Sequence, residues 1–131
     1  MKYVYPAVFS HDDEGYYVHF PDIEGCFTDG NTLAEAIENA NDVLPLMLCS
    51  MEDDGDAIPE PSDITDLDVS EGEFASLIYA DTLDYRRKFD AKAVKKTLSI
   101  PNWLNTLAEQ NNINFSNVLQ NALMDQLHIE R

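Results

Sequence analysis

The chain has 131 residues, enough for one ordinary domain or for a small domain with an additional module. Its hydrophobic content of 44% excludes a chain that is disordered throughout, and its formal net charge of -17 disfavours nucleic-acid binding by the protein as a whole. No apolar run approaches the ~20 residues of a membrane-spanning helix and the start lacks the apolar stretch of a signal peptide, so we expect a cytoplasmic protein without membrane contact.

The N-terminal residues predict a β-hairpin and a third short strand. The segment KYVYPAVF (2–9) is rich in Tyr, Val and Phe, which favour strands. Pro6 favours an edge or an irregular position, because proline cannot donate a ladder hydrogen bond. The turn 10–15 leads to YYVHF (16–20), whose side chains alternate between two faces, and a short strand is expected around 25–28.

A long amphipathic helix is predicted next. Thr32 and Glu35 have the spacing of a capping box, in which the threonine hydroxyl accepts from the glutamate amide and the glutamate carboxylate reaches back to the threonine amide. The apolar residues behind them recur at helical spacing and indicate one face packed on the sheet. Pro45 conflicts with the carbonyl of Asn41, so we expect a kink or an early end there.

The remaining N-terminal segments complete a small α+β domain. Residues 52–73 hold ten acidic residues, two prolines and two glycines, and are predicted to form a surface loop. FASLIYA (74–80) predicts a further strand, and 81–94 predicts a partly helical linker. Residues 1–80 therefore have the order β-β-β-α-β, which indicates an antiparallel sheet covered by one helix.

No cofactor, metal site or catalytic centre is expected, so we expect the protein not to be an enzyme. Asp53, Asp54 and Asp56 lack the spacing and the closing glutamate of a calcium loop. The three histidines have no partners at the spacing of a catalytic triad. Cys26 and Cys49 form no CxxC unit and are expected to be free thiols.

Charge is distributed very unevenly along the chain. Residues 1–84 contain 21 acidic residues and one basic residue, whereas residues 85–131 contain four acidic and seven basic residues. An acidic body suits a basic partner, and a basic tail suits nucleic acid.

The tail predicts a strand followed by two helices. In KKTLSIP (95–101), Leu98 and Ile100 alternate with polar residues, which is typical of a strand. Pro101 ends this strand and begins a helix over 101–112, and apolar periodicity predicts a second helix over 115–127.

These elements are too few to fold alone. A strand and two helices in about 37 residues cannot bury a core, and a lone strand leaves its amides unpaired. Pairing the strand with that of a second copy would give a homodimer with a two-stranded antiparallel ribbon over four helices. Lys95, Thr97 and Ser99 of each copy would then project outward, and such a ribbon enters the major groove of DNA. A dimerisation module without a DNA role is the alternative.

Residues 95–127 resemble the ribbon-helix-helix family of bacterial repressors, in the strand closed by Pro101, the two short amphipathic helices and the polar turn between them. In this β-α-α module the outward strand residues contact bases, and the amides at the start of the second helix clamp a phosphate. The resemblance implies DNA-binding residues of these two kinds: Lys95, Lys96, Thr97, Ser99, Asn114, Phe115 and Ser116.

The N-terminal segment is similar to the HicB antitoxins. The shared features are the strand pair, the FPDxxG turn (20–25), the GxTxxEA sequence at the helix start (30–36) and IPEPS (58–62). The resemblance covers essentially the whole chain and implies a type II toxin–antitoxin system. In that system the N-terminal domain, a degenerate ribonuclease-H-like fold, binds a small basic HicA toxin that cleaves RNA through a histidine. The C-terminal domain binds operator double-stranded DNA and represses the operon.

The expected division is therefore a toxin-binding domain (1–80), a linker (81–94) and a ribbon-helix-helix domain (95–131), in a homodimer or a tetramer of paired dimers. Four carboxylates are candidates for toxin binding, although turn formation, capping and solvation also explain them: Asp22, Glu24, Glu35 and Glu38. A stand-alone regulator with a ligand-sensing N-terminal domain and a metal-dependent nuclease are the alternative functions.

Overall fold

The computed structural model describes residues 1–130, which divide into a first unit (Met1–Lys92) and a second unit that begins at Ala93. The first unit contains β1 (Lys2–His11), β2 (Tyr16–His19), β3 (Phe27–Gly30), α1 (Leu33–Asp54), a 3-10 turn (Ile64–Asp66), β4 (Phe74–Asp81) and α2 (Thr82–Phe89). The second unit contains α3 (Asn102–Gln110) and α4 (Phe115–Gln126). The predicted α+β class and the order β-β-β-α-β are confirmed.

The four strands form one antiparallel sheet in the order β3-β2-β1-β4. The expectation that Pro6 marks an edge strand is wrong, because β1 lies between β2 and β4. The Thr82 amide donates to the Met1 carbonyl at 3.0 Å, so these two residues form a hydrogen-bonded pair just beyond the paired ends of β4 and β1. In an antiparallel sheet, pairs with and without hydrogen bonds alternate along the strands. Pro6 and Leu77 are therefore a pair without hydrogen bonds between their backbones. On the other side of β1, pairing with β2 begins only at Val8. The missing Pro6 amide therefore costs no hydrogen bond within the sheet.

One face of the sheet packs against α1 and forms the core. The helix contributes Ala36, Ala40, Leu44 and Leu48, which are spaced four residues apart and are fully buried. The sheet and the turn after β2 contribute the rest of the buried cluster: Tyr5, Ala7, Phe9, Val18, Phe20, Ile23, Cys26, Ile78 and Ala80.

Helix α1 approaches the sheet very closely where it begins. A Cβ atom added to Gly30 would lie 2.4 Å from the backbone nitrogen of Ala36. The end of β3 therefore touches the first turn of α1, and only a residue without a side chain fits there.

One of the two hydrogen bonds of the predicted capping box at the start of α1 is formed. The Glu35 amide donates to the Thr32 hydroxyl oxygen at 3.1 Å. Among the described residues, the reciprocal bond from the Thr32 amide to the Glu35 carboxylate is not formed. The helix passes through the buried Pro45 and ends at Asp54, so the expected early end is wrong. One lost backbone bond is offset by the burial of the apolar face around the proline.

Helix α2 is attached to the C-terminal end of α1 by a polar cluster. The Glu52 carboxylate accepts from the Tyr3 hydroxyl at 2.8 Å, from the Thr82 hydroxyl at 3.1 Å and from the Arg86 guanidinium at 3.1 Å. Arg86 also pairs with Asp53 at 2.9 Å. The structure therefore places residues 81–92 in the first unit, where we expected a linker.

The same contacts shift two pKa values. Burial alone would raise the pKa of Glu52, but the hydrogen bonds from Tyr3, Arg86 and Thr82 outweigh this effect and lower it. Burial and the Glu52 carboxylate raise the pKa of Tyr3 to about 12.

In the second unit the two predicted helices are confirmed, but the predicted strand over 95–100 is not formed in the single chain. Residues 91–101 have neither helical nor strand structure. A strand is defined by ladder hydrogen bonds to a neighbouring strand, and no described strand of this chain pairs with the segment. The turn between α3 and α4 is closed by Asn112, whose φ of 53° lies in the left-handed region.

We expect Gly30→Ala to destabilise the first unit by about 3 kcal/mol or more, because the new methyl group would push the first turn of α1 away from β3. Urea unfolding followed by far-UV circular dichroism measures the loss. Gly25→Ala is the control, since Gly25 has a φ of 75° but nothing within 4 Å of an added Cβ. It should cost only about 1 kcal/mol. Equal losses for the two variants would contradict the close approach.

We expect Glu52→Gln to lower the free energy of unfolding at pH 7 by about 1–2 kcal/mol, because a charged acceptor of three hydrogen bonds is lost. The lowered pKa of Glu52 means that its contribution is complete above the unfolded-state pKa and disappears as the pH falls through the folded-state value. The difference in free energy of unfolding between wild type and variant should therefore become smaller below about pH 4. Urea unfolding at several pH values tests this, with the exposed Glu38→Gln as control. A gap that is independent of pH would contradict the assignment.

Candidate functional sites

The structural boundary changes the distribution of charge between the two parts of the chain. Residues 1–92 carry 22 acidic and five basic side chains, and residues 93–131 carry three of each. The bases of α2 and Lys92, which we assigned to a basic tail, belong to the acidic first unit. The whole net charge of the chain therefore resides in its first unit, and the second unit is neutral.

Asp22, a candidate toxin contact, fastens the acidic loop to the sheet. The Ser62 amide donates to one oxygen of the Asp22 carboxylate at 2.9 Å, and the Ser62 hydroxyl donates to the other. Next to this contact the Tyr5 hydroxyl donates to the carbonyl of Pro59. Burial and the nearby carboxylates of Asp22 and Glu60 raise the pKa of Tyr5. The FPDxxG turn and the IPEPS segment are thus joined directly, so Asp22 has a structural role.

The other three candidate carboxylates are exposed. Glu24 lies in the turn after β2, and Glu35 and Glu38 lie on the first two turns of α1. None of the described hydrogen bonds connects the turn with this pair on the helix. Two of the four carboxylates therefore belong to the turn after β2 and two to the start of α1.

An apolar face on the first unit was missed in the sequence. The sheet face opposite α1 buries Pro6 and Val8 of the inner strand β1, but around them it exposes large apolar side chains from all four strands: Val4, Tyr17, Phe27, Leu77 and Tyr79. A solvated face of an antiparallel sheet normally alternates to polar residues. The segment FASLIYA (74–80) has apolar residues at both its odd-numbered and its even-numbered positions, so both faces of this strand are apolar. This pattern could have predicted the apolar face from the sequence.

The second unit has well-formed helix ends but no core. The Asn117 amide donates to the Asn114 side chain at 3.1 Å, which caps α4. None of its described residues is buried. Eleven large apolar side chains of this unit are exposed: Val94, Leu98, Ile100, Trp103, Leu104, Leu107, Ile113, Phe115, Val118, Leu123 and Leu127. Local structure is therefore complete in this unit, whereas its apolar surface is not buried.

The predicted DNA-contacting residues lie at two places in the second unit. Lys95, Lys96, Thr97 and Ser99 lie in the exposed extended segment before α3. Asn114, Phe115 and Ser116 lie at the start of α4. The amides of Phe115 and Ser116 belong to the first turn, where backbone donors have no partner within the helix.

Within residues 1–130, no group of three or more His, Cys, Asp and Glu side chains is arranged to hold a metal ion. Both cysteines are free and buried, and the prediction of free thiols is confirmed. Burial raises the pKa of Cys26 to about 11, so its thiol stays protonated at neutral pH. None of the described helices combines the length and apolar character needed to cross a bilayer.

Comparison with known proteins identifies relatives of the chain. The family model of the HicB-like antitoxins of bacterial toxin–antitoxin systems matches residues 5–122. The chain is 41% identical over 58 residues to Antitoxin HicB 2 of Photorhabdus laumondii, which covers 44% of this chain and 42% of that protein. It is 34% identical over 61 residues to a 14.9 kDa protein from the rep-hol intergenic region of Haemophilus phage HP1, covering 47% and 46% respectively. The chain therefore matches less than half the length of these two relatives.

Solved structures match over longer stretches. A chain of a toxin–antitoxin complex from Streptococcus pneumoniae is 31% identical with a TM-score of 0.63, and the match covers 96% of this chain and 99% of that one. The crystal structure of antitoxin HicB3 matches with a TM-score of 0.51 and 29% identity, covering 82% and 81%. A chain of the HicA3 and HicB3 complex matches with a TM-score of 0.52 and 28% identity, covering 60% and 99%. The chain belongs to the HicB-like antitoxin family of bacterial toxin–antitoxin systems.

Proposed function

We propose that this antitoxin-family protein neutralises a HicA-type toxin through its first unit and represses its own operon through a dimeric second unit that binds operator DNA. The observation that carries the proposal is the difference between the units. The first has a complete core and all of the net negative charge, whereas the second has formed helices without one buried residue among those described. One part can act alone on a basic partner, and the other needs a second copy to fold.

Neutralisation is supported by the charge of the first unit and by its relatives. The related HicB3 protein occurs in a complex with HicA3. A small basic toxin that binds RNA is attracted to a surface with 22 acidic and five basic residues, because complementary potentials accelerate encounter and disfavour other acidic surfaces. Covering the active face of the toxin would exclude its RNA substrate both sterically and electrostatically.

Dimerisation of the second unit would bury the apolar side chains that are exposed in the single chain. Each large apolar side chain that becomes buried contributes about 1.5–3 kcal/mol. Pairing the segment 95–100 with its counterpart in a second copy would also satisfy the backbone groups that have no neighbour in one chain. This arrangement is the ribbon-helix-helix dimer that the sequence predicts.

DNA binding would then use two sets of groups on the dimer. The outward residues Lys95, Thr97 and Ser99 would enter the major groove, with Lys96 beside them. The amides of Phe115 and Ser116 would hold a backbone phosphate, since only the Asn117 amide is occupied by the Asn114 cap. Screening over about 8 Å at cellular ionic strength would limit repulsion between the DNA and the acidic first unit.

We expect a truncated protein ending at Lys92 to remain folded and to neutralise the toxin, but to lose operator binding. The reason is that the complete core lies in residues 1–92, whereas all predicted DNA contacts lie beyond them. Toxin-dependent RNA cleavage and an electrophoretic mobility shift with operator DNA measure the two activities. A truncated protein that is folded but cannot neutralise the toxin would contradict the assignment of neutralisation to the first unit.

We expect Lys95→Ala to weaken operator binding. If the Lys95 ammonium neutralises a phosphate, the variant should also bind with a weaker salt dependence. The plot of the logarithm of the association constant against the logarithm of the salt concentration should become less steep by about 0.9 for each phosphate that loses its lysine. A base contact would instead reduce affinity without changing the slope. Titrations of operator DNA at several salt concentrations separate these results. Lys92→Ala, a basic residue outside the segment, is the matched control. An unchanged affinity and slope would remove Lys95 from the DNA-contacting set.

A further inference from the structure

Strand β4 is a long edge strand of the sheet. It has eight residues (Phe74–Asp81), and among the strands of residues 1–130 it pairs only with β1. Natural edge strands are usually short, bulged, or carry lysine or proline, because an open edge can pair with another chain. The segment FASLIYA (74–80) has no charged residue and no proline. The strand therefore lacks the protective residue types, and the 3-10 turn (Ile64–Asp66) of the preceding loop contacts it while Leu77 and Tyr79 stay exposed.

The backbone groups that face outward along this edge can be identified from the register. The hydrogen bond from the Thr82 amide to the Met1 carbonyl fixes which residues exchange bonds with β1, and these are Phe74, Ser76, Ile78 and Ala80. The residues between them, which are Ala75, Leu77 and Tyr79, direct their N–H and C=O groups away from β1. Within residues 1–130 no described hydrogen bond uses these outward groups.

Apolar side chains accompany the open backbone groups. Leu77 and Tyr79 are both 53% exposed and lie on the sheet face opposite α1. An added strand would therefore gain main-chain hydrogen bonds and apolar contacts from the same stretch of β4.

We propose that the β4 edge binds an extended segment of a basic protein partner by strand addition. Strand addition obtains affinity from main-chain bonds and specificity from alternate side chains. Carboxylates lie at both ends of the strand: Glu71 and Glu73 precede it, Asp81 is its last residue and Asp84 follows in α2. The segment that fits is apolar in its centre and carries Lys or Arg at its ends. The inference rests on the proposed function in naming the toxin as this partner.

A second copy of this chain fits the edge less well. An antiparallel pair of β4 strands centred on Leu77 would place Glu73 of each copy opposite Asp81 of the other. Like charges directly opposite each other destabilise a strand pair. Both copies would in addition bring a net charge of -17 to the interface.

Amide hydrogen exchange measured by NMR on the 131-residue protein tests the inference, with and without a purified HicA-type toxin. The amides of Ala75, Leu77 and Tyr79 should exchange at least about tenfold more slowly in the complex. The amides of Ser76 and Ile78, which already bond to β1, should be slow in both states. Strand pairing predicts new protection at these alternate residues, and the substitutions described below separate it from simple covering of the edge.

Each result supports or overturns the inference. A protein that forms no complex with the toxin overturns both the proposed function and this inference. A complex in which these amides exchange as before overturns the inference alone. Protection that is already present without toxin and grows with antitoxin concentration assigns the edge to a second copy, and also overturns it.

Two substitutions of one residue separate backbone pairing from side-chain contact. Leu77→Pro removes an outward N–H that makes no bond to β1, whereas Leu77→Thr keeps the N–H and a high strand propensity. We expect Leu77→Pro to weaken toxin binding about tenfold or more, and Leu77→Thr by less than about threefold. Equal losses, or no loss in either variant, would overturn strand addition. Far-UV circular dichroism verifies that both variants fold. If Leu77→Pro does not fold, the amide hydrogen exchange of the wild-type protein decides between strand addition and its absence.

Discussion

The packing of one helix on one face of the sheet is the constraint on which the rest of the structure depends. Gly30 lets the first turn of α1 touch β3, and Ala36, Ala40, Leu44 and Leu48 continue the buried face of the helix. A single helix covers a single face, so the large apolar side chains around Pro6 and Val8 on the opposite face, and the outer side of β4, remain exposed. The polar cluster around Glu52 then attaches α2 where α1 ends. The surfaces that the first unit offers to partners are those that this packing does not use.

Charge can be concentrated in the first unit because that unit has a complete core. Repulsion among 22 acidic side chains opposes compactness, and burial of a continuous apolar cluster offsets it. Some of the carboxylates are also used internally, as Asp22 is by Ser62 and Glu52 by Arg86. The remaining acidic surface selects for basic partners.

The second unit shows that local and tertiary stability are different requirements. Asn114 caps the start of α4, and Asn112 closes the turn between α3 and α4. The end of α3 and the start of α4 therefore have capping residues typical of helix termini. Helices of nine and twelve residues are nevertheless marginal in water without burial of an apolar face. Within the single chain the described residues of this unit bury no such face, so local rules alone do not account for its stability.

The sequence by itself determined the elements whose rules are local. The strands, the capped start of α1 and both C-terminal helices follow from alternation, helical spacing and turn residues within a few positions of each other. Only the tertiary structure decided which strands became neighbours. It placed β1 inside the sheet despite Pro6, left β4 at the edge and brought α2 onto α1. It also joined Asp22 to Ser62, which are 40 positions apart. The predicted strand over 95–100 is not formed in the single chain for the same reason. Pairing and burial depend on residues distant in the chain, whose proximity no local pattern contains.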